Sequence, residues 1–557
     1  MTPRGLLRLF AIYGAALVVA CVAMRAHTSL RELGPAERAV IVSAWKEGKL
    51  VAREVRPPHV AGQDPPRAGN ASDGRTVVEE IAVAEGPLTL TPLLFQFSLV
   101  QGRDGVRAEL GGKTAWVTVD DLLSTQAYDH ATTFFDPSLG MGTHHATVVH
   151  LLAQQLGVST REVEENAAVR RVRFERRIPG VVPRERITKD SVMRRELVIE
   201  AVRSAAEYIT RGTDAQGRFR YLVDATTNTT LTGYNWPRHS GTTYFLAQAA
   251  ALLDDPEIRA ASLRAAACLR DEMMKDCGAH KCIVGEGEAD VGSSALAVVA
   301  FAEIVRTGAD ASYRRAIAEL TAFLRSQQRP DGELMHLYDR SANKPLDMQF
   351  LYYTGEASLA LARAHRVTGD PEDLRAASAA LRRLSTEGWT FFGSRYYFSE
   401  EHWTCQAMAD LWDRAPDEDA LAFCLRWHEF QRRLQHEDGD SPFDADGGFG
   451  FSPFVIPRIT PASSRGEAAV AALEVVKRTR RDDEAAELLD DQLRRALAYV
   501  LRSQLDPGPR HLFARPDEAR GAMPGSPVDL QLRIDFVQHA GSMMVRWLEL
   551  EDALPTK

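Results

Sequence analysis

From about residue 188 to the C terminus, apolar positions recur with a helical period, and two kinds of helix alternate. One kind carries a single apolar stripe. In 312–327, Ala316, Ile317, Leu320, Phe323 and Leu324 keep the i, i+3, i+4, i+7 spacing while Arg314, Arg315 and Glu319 point elsewhere, which predicts a helix packed on one side. The other kind is apolar nearly all round, as in 295–305, and predicts a helix wrapped by others. The striped kind occupies 191–211, 258–275, 312–327, 372–384, 417–434 and 483–504, and the all-apolar kind 238–253, 290–305, 352–365, 401–412, 464–476 and 538–550. The second set shares one register. Gly241, Gly292, Gly355, Gly466 and Gly541 fall in a single column with Thr404 replacing Gly once, and two residues upstream stand His239, Asp290, Tyr353, His402, Ser464 and His539.

Six alternations at roughly 50 to 75 residues per unit describe a repeat architecture. A closed ring buries the inner set better than an open solenoid, which would leave one side of each inner helix wet. On these residues the chain resembles an (α/α)6 toroid over 190–557, a fold shared by N-acylglucosamine epimerases, unsaturated-glucuronyl and other six-hairpin glycosidases, polysaccharide lyases, lanthionine cyclases and terpene cyclases. The segment FLRSQQRPDGELMH also resembles the Gln and Asp-Gly repeat element of triterpene cyclases, and LRSQLDPG echoes part of it. The acidic DxDD proton donor of those cyclases is missing, so both segments read as helix-ending turns. HWTC at 402–405 does not reproduce the Cys-His dipeptide of lanthionine cyclases.

Upstream the pattern changes. LTLTPLLFQFSLV, GVRAEL and TAWVTV, the last two separated by Gly111-Gly112, read as strands, and a helix is expected at 146–156. This predicts a small α/β module over 76–160, followed by a basic connector at 161–189 whose RVRFERR alternates like an edge strand, lying on anionic lipid or in solvent. Within the module, His144 and His145 read as capping or surface residues. Residues 26–75, ending in RPPHVAGQDPPRAGNASDGR, read as a flexible tether.

Residues 1–25 form a segment of another kind. Arg4 and Arg8 precede an uncharged run, 9–24, closed by Arg25, as in an uncleaved signal anchor; Val18-Val19-Ala20-Cys21 also resembles a lipoprotein signal. Either places the body outside the cytoplasm, on the periplasmic or extracellular face. The 557 residues are 45% hydrophobic and 26% charged, an ordinary globular composition. A formal charge of −9 gives no electrostatic reason to expect nucleic acid. Six cysteines are too few for a disulfide scaffold. Cys277 and Cys282 are a disulfide candidate, with free thiols or zinc beside His280 as alternatives, while Cys268, Cys405 and Cys424 read as core residues.

The inner helices would bring their N-terminal ends to one mouth, where free N–H groups and aligned dipoles favour anions. His239, His402 and His539 are the proton-transfer candidates, since imidazole titrates near neutrality. Zinc held by all three stays an alternative, although the expectation is a site without metal or cofactor. Asp290, Glu356, Glu467 and Asp535 are the carboxylate candidates for glycosidic chemistry, which needs two flanking carboxyls. Arg238, Arg465 and Arg533, with Tyr234, Trp236, Tyr353 and Trp403, are the substrate-binding candidates: guanidinium groups for an anionic sugar, rings for a pyranose face. Aromatic loops at 234–237, 388–398 and 446–454 point the same way.

The expected function is a membrane-tethered extracytoplasmic carbohydrate-active enzyme on an envelope or capsular polysaccharide. By the toroid resemblance, the reaction is glycosidic cleavage or sugar epimerisation. A non-catalytic polysaccharide-binding or assembly protein, its N-terminal module docking an envelope partner, and an exported-peptide modification enzyme stay open.

Overall fold

The computed structural model describes residues 14, 17, 18, 33–36, 38–57, 74–128, 142–181, 185–285, 287–386, 402–439, 444–450, 456–480, 482–505 and 510–553. The anchor expected at 1–25 lies outside this set apart from Gly14, Leu17 and Val18. Among the described residues no helix is long and apolar enough to cross a membrane.

The N-terminal part is larger than the predicted module. Its antiparallel sheet takes β1 (Gly34–Pro35), β2 (Val40–Lys46), β3 (Lys49–Arg56), β4 (Thr76–Pro87), β5 (Asp104–Leu110), β6 (Lys113–Val117) and β7 (Ala168–Arg177) in the order β3-β2-β4-β7-β5-β6, with β1 also on β4. The tether expected at 26–75 therefore supplies three strands. Glu47 and Gly48, both at positive φ (50° and 76°), make the tight turn that joins β2 to β3. The connector expected at 161–189 begins as the helix Thr160–Asn166 and continues as β7, an inner strand between β4 and β5. Its arginines face carboxylates rather than lipid: Arg173 and Asp104 are 2.8 Å apart, as are Arg176 and Asp120, and Arg177 lies 2.6 Å from Glu79. In the run read as a strand before Val100, Pro92 starts the short helix Pro92–Gln96, because its fixed φ suits the first helical position. The GVRAEL and TAWVTV strands and the helix His145–Leu156 lie where the pattern put them.

The module is docked on the rest of the chain. Ile41, Trp45 and Leu122 share an apolar core with Leu512, Phe513 and Leu530. At the joint His511 Nε2 sits 2.6 Å from Asp120, which also pairs with Arg176. The carboxyl of neighbouring Glu80 is pushed up to about 8 by burial and by the charge of Asp120.

Residues from Arg195 onward form the toroid. The outer helices are Arg195–Arg211, Pro256–Ala267, Arg314–Ser326, Pro371–Thr386, Glu418–Arg432 and Asp483–Leu505. The inner helices, called first to sixth below, are Trp236–Leu253, Val291–Arg306, Tyr353–Thr368, Trp403–Leu411, Ile459–Thr479 and Ile534–Ala553. Each inner helix packs on the next and the sixth packs back on the first, so the ring is closed: this is an (α/α)6 toroid. The two apolar patterns map onto the two layers. Every residue from Val291 to Val305 is buried, whereas the outer helix Arg314–Ser326 buries only its stripe and Thr321.

The Gly column is a packing device. A methyl group at Gly541 would sit 2.1 Å from the Phe245 ring of the first inner helix, and one at Gly466 would sit 2.0 Å from the Met543 sulfur of the sixth. Each glycine is thus the recess that receives a side chain from the neighbouring inner helix. The Gln elements staple the outer layer. Gln328, Gln435 and Gln504 each donate Nε2 to a backbone carbonyl of the following outer helix, at Ala376 (2.9 Å), Gln492 (3.0 Å) and Ala201 (2.8 Å). The last of these joins the sixth outer helix to the first. Beside them the turn glycines Gly332 (φ +91°) and Gly521 (φ +86°) press on carbonyls of that same following helix, Ala379 and Ser204.

Cys277 and Cys282 form a disulfide across the hairpin Met274–Cys277/His280–Gly285. Cys405 and Cys424 are buried core residues, as expected, and are also joined in a second, unforeseen disulfide; the fourth inner helix lies against its outer partner, so their apolar faces bring the sulfurs together. Cys268 is a free, buried thiol.

Candidate active site

Residues at the starts of the fourth and sixth inner helices converge on one buried carboxyl two turns into the fifth. His402 caps the fourth, and its Nε2 lies 3.3 Å from Glu467 Oε2 on the fifth. His539, one turn into the sixth, holds the same oxygen at 2.8 Å through Nδ1. The two imidazoles cross edge to face with centroids 5.0 Å apart, and Trp403 packs on both, at 4.2 and 5.9 Å. Glu467 has no exposed surface. Burial pushes its carboxyl above the usual range, against the opposing pull of His539, Arg546 and Arg363. Burial thus opposes the charged carboxylate where two imidazoles face it. With Nδ1 committed to Glu467, Nε2 of His539 is the nitrogen left for a substrate.

The same three residues are the ones able to hold a metal, since one ligand atom from each lies within 4.8 Å of the others. The contact between His539 and Glu467 has hydrogen-bond length. Two ligands on one zinc ion at about 2.1 Å each would sit roughly 3.4 Å apart in a tetrahedral shell. The observed 2.8 Å suits a proton between the atoms better than an ion.

His239, in the same register, does not join this set. Its Nε2 donates to the Ala265 carbonyl of the second outer helix at 3.1 Å, and its Nδ1 accepts from the Tyr234 hydroxyl at 2.6 Å. That hydroxyl in turn accepts the Phe219 N–H. Phe219 and Trp236 pack on the ring, and burial pushes its pKa down to about 4. His239 is thus a neutral, fully bonded core histidine, which removes it from the proton-transfer set. Tyr234 and Trp236 are its packing partners rather than a platform at the mouth; Trp236 is buried against Gly285.

The other expected site residues divide by role. Asp290 caps the second inner helix, accepting from the Ser293 N–H and hydroxyl at 2.6 Å each. Asp535 is clamped by Arg533 (2.5 and 2.9 Å) and Arg238 (3.2 Å). Burial alone would raise its pKa, but those two guanidinium groups hold it below the usual range. It is a permanent anion, unsuited to donating a proton. Arg238 keeps 38% side-chain exposure and also bonds the Tyr221 hydroxyl at 2.6 Å. Arg465 is buried over the Phe449 ring at 4.6 Å. Glu356 and Tyr353, both on the third inner helix, fill the recess at Gly292. The rings expected at 388–398 lie outside the described residues.

One group was not foreseen. Phe350, 41% exposed, packs at 5.1 Å on Tyr353 just before the third inner helix. His336 fixes this segment, its Nδ1 accepting the Phe350 N–H at 2.7 Å and its Nε2 bonding Thr354 at 2.8 Å. The run Phe350, Tyr352, Tyr353 ahead of a helix start was the available signal.

No protein-family model and no curated protein sequence matches the chain. Several solved structures are similar to the toroid part. A D-mannose isomerase is 13% identical with a TM-score of 0.47, covering 64% of this chain and 98% of its own. Cellobiose 2-epimerase from Bacillus thermoamylovorans B4167 is 11% identical with a TM-score of 0.49, covering 64% and 99%. An unsaturated glucuronyl hydrolase specific for heparin is 12% identical with a TM-score of 0.46, covering 64% and 98%.

Proposed function

We propose that the toroid is a carbohydrate-active enzyme that transfers a proton at a sugar carbon beside the carbonyl, with His402 and His539 as the acid–base pair. The observation that carries this reading is the pair of imidazoles on one buried carboxyl, Glu467, brought together by three successive inner helices. One imidazole takes the C–H proton while the electron pair moves to the carbonyl oxygen, giving an enediolate. The other, protonated, returns a proton to that carbon, and the product is the epimer. Glu467 lies between the two imidazoles, and burial raises its carboxyl above the usual range, which favours proton exchange with them. Arg238, the exposed member of the arginine pair on Asp535, is the cation available to a developing oxyanion.

Glycosidic cleavage is less well served. It needs two carboxyls flanking a bond. Asp535 is held by two arginines and Asp290 by a helix cap, which leaves Glu467 and Glu356 among the described candidates. The sugar class rests on the exposed ring of Phe350 and on the toroid resemblance.

We also place the protein outside the cytoplasm, tethered through residues 1–25 and acting on an envelope or capsular polysaccharide or its fragments. Two disulfides support an oxidising compartment.

The test is to incubate the full chain with reducing mono- and disaccharides in D2O and follow the C2 position by NMR. Epimer formation with deuterium at C2, lost in His402→Ala and His539→Ala, is the expected result. New reducing ends without deuterium exchange would make it a hydrolase, and saturable sugar binding with neither would make it a binder. Loss of exchange on dialysis against a chelator would assign the three residues to a metal instead.

A further inference from the structure

A cavity of about 770 Å3 opens at the other end of the ring, where the inner helices terminate. Its size falls within the range of small-molecule sites, roughly 300 to 1,000 Å3. Its lining carries eight cationic side chains and four carboxylates. We infer that this rear cavity is a binding site for a small multivalent anion bearing phosphate or carboxylate groups, separate from the imidazole mouth.

The simplest alternative is that the cations only complement the negative ends of six helix dipoles. The bonding pattern argues otherwise. Arg366 reaches a helix-end carbonyl, Asp410 O at 2.8 Å, but Arg306, Arg363, Arg478 and Arg546 are aimed at side chains. Arg363 and Arg546 are the deepest of them, at 11% and 8% side-chain exposure. Arg363 is held on two sides. Its Nε donates to Asp410 at 2.8 Å and its guanidinium lies over the Tyr244 ring at 4.6 Å, while its Nη1 is buried and makes no hydrogen bond of normal geometry. A buried guanidinium N–H without an acceptor is costly, and an oxyanion in the cavity would satisfy it. At the rim, Arg314 and Arg480 line the same cavity and make no ion pair among the described residues. A guanidinium fork at the floor and two uncommitted ones at the rim match an anion with charge at both ends.

The experiment is calorimetric titration of the full chain with inorganic pyrophosphate, and separately with citrate, at low salt. One saturable site is expected, weakened at least tenfold in the Arg314→Glu/Arg480→Glu double variant and unchanged in His402→Ala. Arg363→Gln should abolish it, with a thermal melt confirming the fold; the exposed double variant decides the matter if Arg363→Gln does not fold. Pyrophosphate binding alone would assign a phosphate ligand, and citrate binding alone a carboxylate. Absence of saturable binding by both anions, or equal affinity in the double variant, overturns the inference.

Discussion

The two ends of the ring present opposite chemistry on the same six helices. At the N-terminal mouth, where the dipoles are positive, the chain places imidazoles and a carboxyl, His402, His539 and Glu467. At the C-terminal end, where they are negative, it gathers guanidinium groups such as Arg363 and Arg546. The rear carries side chains of the sign its dipoles favour, whereas the front mixes carboxyls with imidazoles and arginines. At the front, one carboxyl is denied an arginine and left to two histidines. At the rear, cations outnumber carboxylates in the lining. The closed ring holds both arrangements about one helix length apart, near enough for the rear charges to act on the front carboxyl.

The largest effect should separate the ends by reaction. His539→Ala or His402→Ala should lower proton exchange by about 10²–10⁴-fold, the usual contribution of a positioned acid or base. Arg480→Glu at the rear should change it less than about twofold; comparable losses in both would erase the distinction. Next comes pH. Glu467 is raised in the folded state, so it contributes stability that is present below the ordinary carboxylate range and lost as pH rises through its raised value. Melting temperature followed against pH should fall over that interval in the wild type and stay flatter in Glu467→Gln. Arg546→Gln, which removes a cation from the rear, should move the fall to higher pH; no movement would mean that the ends are electrically independent.

Two smaller effects test the frame that holds the ends in place. Gly541→Ala drives a methyl into the Phe245 ring and should cost about 1–3 kcal/mol of stability. Denaturant melts would show it, with exchange per folded molecule retained. Gln504→Ala removes the staple between the last and first outer helices and should cost about 1 kcal/mol, as for a single buried hydrogen bond.

The ring was legible because its layers differ in a quantity that sequence carries directly, the width of the apolar face. His402 and His539 were legible for the same reason, as polar residues at one register of all-apolar helices, and Glu467 as a carboxylate one residue past its column glycine. His239 shares that register yet turns outward, because Tyr234 and the Ala265 carbonyl offer its two nitrogens complementary partners, and no spacing rule reports which way a ring rotates. The strands at 40–56 had a signal, the Glu47-Gly48 turn between two alternating runs, but it sits beside a Pro- and Gly-rich stretch that dominated the reading. The Cys405–Cys424 bond joins residues 19 apart on two helices whose facing sides only the packing defines. The rear cavity was illegible because its residues come from all six inner helices and an outer one, with no common motif.

The Gln staples carry one more consequence. The seam between the sixth and first outer helices uses the same bond as the seams between the third and fourth and between the fifth and sixth. The toroid therefore has no chemically marked beginning. A circularly permuted chain, with its old ends linked and new ends opened in a surface turn between two units, would find every seam intact. The N-terminal module would keep its docking site on residues 511–530 wherever the ring was opened, because that site is made by packing and not by chain order.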